Sequence, residues 1–153
     1  MSFVCLMAFV LIGQEPAKDL PPALQWQRHV EIKAEPIKIG ADRAEIVTIR
    51  LKIKPGSYVL GTPQPDEVLE GAEMKLIVKS NDPKQKVSVV YPKPVLVAER
   101  GVSWSKYEGE ITIIATVYRS TEKRGPLECT LRFQPRSASV CCLPARVSFT
   151  VIK

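Results

Sequence analysis

Histidine is almost absent from this sequence, with His29 the only one among 153 residues. Hydrolysis through a cysteine nucleophile needs a histidine base. His29 lies in a candidate strand with no orienting carboxylate beside it, and it reads as a surface or edge-strand residue. A metal site wants four nitrogen or sulfur ligands at a set spacing. Cys141, Cys142 and His29 make no such pattern, so neither a metal nor a cofactor is expected. Aromatic residues are scarce at 7%. The basic residues are scattered, as at Lys52 and Lys54, Lys84 and Lys86, and Lys123 and Arg124. The formal charge of +6 therefore reads as a solvated face. Nucleic acid would require a clustered basic stripe with interleaved aromatics, so no nucleic-acid partner is expected. The proline-rich "GTPQP" at 61–65 lacks the glycine, lysine and hydroxyl spacing of a phosphate loop. There is no internal repeat and no low-complexity segment. Trp26 and Trp104 stand alone in the sequence and read as packing at the core edge.

Long apolar runs are also lacking. The longest, residues 3–12, is too short to cross a bilayer, which takes about 20 residues. It does fit the hydrophobic stretch of a secretory signal, with Gly13 and Ala17 as small residues near a cleavage point. The basic residues that normally precede such a stretch are missing. Residues 1–17 are read as a signal sequence, with a buried first strand as the alternative, and residues 18–153 as one domain. That length buries a sizeable core without metal or disulfides. Export places the mature chain, which has no membrane span, in the periplasm or another oxidising space where disulfides persist. Loss of Cys5 leaves three cysteines, an odd number that permits a disulfide-linked dimer.

What the chain has in abundance is alternation. Val47, Ile49, Leu51 and Ile53 alternate with Thr48, Arg50, Lys52 and Lys54. Ile111, Ile113, Ala115 and Val117 do the same, as do Leu127, Cys129, Leu131 and Phe133, and Val147, Phe149 and Val151. In the third of these runs Glu128, Thr130, Arg132 and Gln134 fall on the outer face. Each run reads as a strand with one face in a core. Shorter candidates lie at 29–34, 74–79, 86–91 and 95–99. About eight strands separated by turn signals such as "KPGS" and "SNDPKQ" predict an all-β fold, an antiparallel β-sandwich of immunoglobulin-like type.

The last two long strands can be set in register. Pairing Leu127 with Val151 brings Cys129 opposite Phe149, Leu131 opposite Val147 and Phe133 opposite Ala145, so every inward residue meets another. A shift of one residue wastes the core face. Cys129 is then a buried small apolar residue, too far along the strand to bridge to Cys142. Continued toward the turn, the same register sets Arg136 opposite Cys142. Cys142 and Cys141 then face away from the core, and the Arg136 guanidinium lies near the Cys142 sulfur, where it favours the thiolate.

Three stretches carry a resemblance: "LKIKPGSYVLG" at 51–61, "KYEGEITIIATV" at 106–117 and "LRFQPRSASVCCLPARVSFTV" at 131–151. Their order and spacing are similar to the N-terminal periplasmic domains of the thiol:disulfide interchange protein DsbD. Those domains read "v.i.pGyHiYa", "vYeG.v.i" and a closing "yQaC" followed by "C.PP". The resemblance runs from about Val30 to the C-terminus. It implies an immunoglobulin-like sandwich whose two closing cysteines form a redox-active disulfide on a hairpin, passing electrons to periplasmic thiol-disulfide proteins. Carried over by position, Cys142 matches the second cysteine, while the first falls on Arg136. Ser57, Tyr58 and Leu60 stand where the family has the aromatic and histidine residues that shield the disulfide.

The usual two-cysteine relay is thus lost, since exchange needs a resolving thiol. The leading expectation is an exported protein-interaction domain. The alternative is a modified thiol-disulfide exchange protein in which Cys142, with Cys141 beside it as catalytic thiols and Arg136 and Tyr58 in support, forms mixed disulfides with a partner. That partner would be a protein, such as a thioredoxin-like thiol-disulfide protein.

Overall fold

The computed structural model describes residues 12–13, 21, 25–65 and 72–153. Most of the proposed signal segment, and Cys5 with it, lies outside the described residues. Ile12–Gly13 forms a two-residue strand, β1. The remaining strands in chain order are β2 (Val30–Ala34), β3 (Lys38–Ile39), β4 (Glu45–Ile53), β5 (Ser57–Leu60), β6 (Lys75–Lys79), β7 (Lys86–Val90) and β8 (Val95–Glu99). They are followed by β9 (Val102–Tyr107), β10 (Glu110–Tyr118), β11 (Leu127–Phe133), β12 (Pro135–Ser137) and β13 (Ala145–Val151). The only helical pieces among the described residues are short 3-10 turns, including Trp26–Arg28 and Thr121–Lys123.

Every strand expected from alternation is present. The sequence reading missed β3, β5, β9 and β12. β5 and β9 show no clean alternation because they belong to a small sheet with only part of one face on the core.

The strands form three antiparallel sheets, ordered β1-β13-β11-β6, β2-β4-β10-β7 with β3 beside β4, and β12-β5-β9-β8. The first two are the layers of a sandwich. Between them lie Val47, Ile49, Leu51, Ile113, Ala115 and Val117 from one layer and Leu127, Leu131, Phe133, Val147 and Phe149 from the other. The third sheet grows from both layers. β5 follows β4, β9 precedes β10, and β12 continues β11 after Gln134. Val59 and Tyr107 tie it to the common core. Trp26 closes the core edge, its ring 5.5 Å from Phe133 in an edge-to-face contact, which is the packing role read for it.

The register read between β11 and β13 is the one observed, from Leu127↔Val151 through Cys129↔Phe149 and Leu131↔Val147 to Phe133↔Ala145. Cys129 lies in the core between Phe149 and Val78 of the flanking strands. Burial pushes its thiol up to about 12. It is inert packing, as expected of a buried cysteine.

Candidate functional site

The hairpin that links β12 to β13 carries the adjacent cysteines, and here the register changes. Beyond Phe133↔Ala145, the next pairing is Arg136↔Cys141. From Phe133 to Arg136 is three residues, while from Ala145 back to Cys141 is four. The extra residue is taken up at Leu143 and Pro144, both exposed, where the in–out alternation fails. Pro144 has no N–H to contribute to a ladder. The hydrogen bonding resumes only where the Cys142 N–H meets the Pro135 carbonyl at 3.0 Å and the Ser137 N–H meets the Val140 carbonyl at 2.7 Å. This is bulge geometry, with one strand carrying one residue more than its partner.

The bulge corrects two expectations. Arg136 stands opposite Cys141, not Cys142. Cys142 does not face outward but is buried, with 1% of its surface exposed. Cys141 is exposed, as expected. The neighbouring thiols therefore point to opposite sides. A slip of one residue exchanges the faces of the side chains beyond it, which is why extending the core register into the turn assigned Cys142 to the wrong environment.

The chemistry of the pair follows. Burial, and then the neighbouring Cys141, push the Cys142 thiol above its ordinary value. Arg136 is not among the groups acting on it. The arginine instead donates from Nη2 to Gln134 Oε1 at 3.2 Å and stands across from Cys141.

Gln134 is the residue that sequence reading misassigned. Alternation put it on the outer face with Arg132, yet it is only 9% exposed. Its Nε2 donates to the Cys142 carbonyl at 3.0 Å and to Cys141 Sγ at 3.5 Å. One amide thus fixes the backbone of Cys142, the thiol of Cys141 and the head group of Arg136. The signal available was its place between the end of a long strand and Pro135, where the strand has to turn into a new sheet.

Tyr58 lies opposite Arg136 in the β5–β12 pair. Opposite residues share a face, so Tyr58, Arg136 and Cys141 form one row across three neighbouring segments. The Tyr58 ring rests 5.2 Å from that of Trp104 at a 38° tilt, and Lys106 Nζ sits 5.5 Å from the Tyr58 ring centre. Trp104 is thus paired with an aromatic on the outer sheet face rather than merely closing the core. Of the four residues singled out in the sequence, Cys141, Arg136 and Tyr58 come together, and Cys142 lies on the other face.

Elsewhere, His29 Nδ1 is 2.8 Å from Ser57 Oγ. No group of three or more His, Cys, Asp or Glu residues suited to a metal ion occurs among the described residues. No helix among them is long and apolar enough to cross a membrane.

The architecture is that of an immunoglobulin-like β-sandwich with a small third sheet that carries the closing hairpin. The particular version of that fold is the one seen in DsbD-type N-terminal domains. The N-terminal domain of DsbD from Neisseria meningitidis in the reduced form is similar with a TM-score of 0.54 and 16% identity, over 92% of this chain and 94% of that one. The N-terminal periplasmic domain of ScsB from Proteus mirabilis is similar with a TM-score of 0.62 and 14% identity, over 92% of this chain. This chain spans about half, 49%, of that ScsB chain. The chain is thus a DsbD-N-terminal-like domain in fold, as its closing motifs implied. Neither the family models nor the curated proteins contain a match.

Proposed function

We propose that this chain is a protein-interaction module of an exported or periplasmic space, built on the fold of a thiol-disulfide interchange domain whose two-cysteine relay has been lost. The observation that carries this reading is the rung Arg136↔Cys141. An arginine held on Gln134 stands across the hairpin from the exposed thiol, so no resolving thiol faces it from the opposite strand. Cys142 is no substitute, being buried and shifted toward the neutral thiol, whereas the thiolate is the species that exchanges. The row of half-buried Tyr58 and Arg136 and exposed Cys141, with Trp104 and Lys106 beside it, offers aromatic and cationic contacts of the kind protein interfaces favour. The partner is a protein, with a thioredoxin-like thiol-disulfide protein as the first candidate.

One observation favours a second reading, thiol exchange through Cys141. The Cys141 sulfur is exposed and receives the Gln134 N–H. In that reading the Cys141 thiolate attacks a partner disulfide, forms a mixed disulfide and releases one partner thiolate. Cys142 would then attack the mixed disulfide to release the second, leaving a vicinal Cys141–Cys142 bond.

Native-state alkylation followed by peptide mass spectrometry under non-reducing conditions separates the two. The interaction reading expects Cys141 to label quickly, Cys142 and Cys129 to label only on unfolding, and no disulfide to turn over. A Cys141–Cys142 bond, or a Cys141 mixed disulfide that a mild reductant opens, would overturn it in favour of exchange.

A further inference from the structure

The third sheet ends in an open edge strand. β8 is the last strand of that sheet, hydrogen-bonded to β9 on one side only among the described residues. Its phase is set twice over. The β8–β9 turn is two residues, Arg100 and Gly101, with φ of 50° and 80°. That is the type I′ form, in which the residues flanking the turn, Glu99 and Val102, are a hydrogen-bonded pair. Counting back, Leu96↔Ser105 is a non-hydrogen-bonded pair. Ser105 shows the same thing directly, sending its carbonyl to the Gly61 N–H (2.9 Å) and its N–H to Gln64 Oε1 (3.0 Å), both away from β8. The N–H and C=O of Leu96 and Ala98, and the C=O of Pro94, therefore point to the open edge.

The edge of β6, by contrast, is covered. On β6 the Leu76 N–H is taken by Tyr91 Oη at 2.8 Å and the Val78 carbonyl by Gln85 Nε2 at 2.9 Å. β8 has no such cover among the described residues. It also carries Leu96, the most exposed of the large apolar side chains there at 71%, with Val95 at 51%. An uncovered apolar edge of this kind is a template for strand pairing.

We propose that two copies of this chain associate by antiparallel pairing of β8 with β8 about a twofold axis at Leu96. This register sets Leu96 against its own counterpart, Val95 against Val97, Pro94 against Ala98 and Lys93 against Glu99. The Leu96 pair exchanges two backbone hydrogen bonds. Each Ala98 N–H reaches a Pro94 carbonyl, and only the missing Pro94 N–H leaves a gap. The end charges choose the register. Lys93 and Glu99 are both exposed, and they meet with opposite sign at both ends. An axis at Val97 would face the apolar Val95 with Glu99 instead, and an axis at Ala98 would face Leu96 with Arg100. The result joins two small sheets into one, with the Tyr58, Trp104 and Arg136 faces on the same side. A single short strand buries little area, so the dimer is weak and concentration-dependent. It rests on the edge of β8 and not on the fate of the thiols.

Sedimentation velocity of the full chain in reductant, over about a hundredfold range of concentration, tests it. The average mass should climb toward that of a dimer. Lys93→Glu places like charges opposite each other at both ends and should weaken association roughly tenfold, and Lys93→Glu combined with Glu99→Lys should restore it. Leu96→Pro removes an outward N–H that β9 does not use and should leave a monomer with the β8–β9 hairpin intact. A chain that stays monomeric throughout, or a dimer indifferent to Lys93→Glu and Leu96→Pro, would overturn the proposal.

Discussion

At the scale of single residues, the chain uses polar side chains as clamps where the ladders stop. Gln134 is one and Asp82 another. Asp82 Oδ2 accepts the Ser120 N–H and Oδ1 the Lys84 N–H, each at 2.9 Å, tying the β6–β7 turn to the end of β10. These two backbone donors, Ser120 first, hold its carboxyl below the ordinary aspartate value. A depressed carboxyl stabilises the fold above its unfolded pKa, and that contribution disappears as pH falls through the lower folded value. Asp82→Asn should therefore be less stable than the parent by a constant margin from neutral pH down to about pH 4, and the gap should close below that. Urea denaturation midpoints along an acid series measure it. A gap that persists undiminished at about pH 2 would mean the charge is not what Asp82 contributes. Neither clamp was legible in advance, because a polar residue in an alternating sequence looks the same whether it meets water or a turn.

Among elements, the long strands were legible and the joints were not. Alternation of period two places β4, β10, β11 and β13 and matches the β11–β13 register, since a one-residue shift would set Cys129 and Phe133 against residues off the core side. In the small third sheet only β8 was read, because the other strands are short or lack clean alternation. Its internal packing depends on close approach at Gly61. A Cβ there would lie 2.7 Å from Ser105 Oγ and 2.8 Å from Pro94 Cβ. The proline ring is held by its own strand and has little room to yield. Gly61→Ala should cost about 1–3 kcal/mol through overpacking. Gly125→Ala, where an added Cβ meets nothing within 4 Å, should cost far less. Thermal or urea unfolding of the two variants side by side checks this, and equal stabilities would contradict the close approach.

Over the whole molecule, a buried ion pair at the end of the β4–β10 layer adds to the core and reaches the segment that leads into the other layer. Arg119, just past β10, has a fully buried side chain, and Glu45 at the start of β4 is 5% exposed. The arginine bonds both carboxylate oxygens, Nε to Oε2 at 2.5 Å and Nη2 to Oε1 at 2.9 Å, and Nη2 also reaches the Gly125 carbonyl ahead of β11. Removing one partner strands a charge in the interior, so Glu45→Ala should lose about 3–5 kcal/mol. That is a large part of the 5–15 kcal/mol typical of a domain. A loss under about 1 kcal/mol in denaturant titration would place the pair in the range of exposed ion pairs. The sequence by itself determined the class of fold, the long strands, their core faces and the pairing of β11 with β13. It did so because burial on one face of a strand leaves a period that can be read locally. Which thiol is buried, where Gln134 points, and that Glu45 and Arg119 meet were decided only by the tertiary structure. Each depends on a one-residue bulge or a contact between segments far apart in the chain, and neither leaves a period in the sequence.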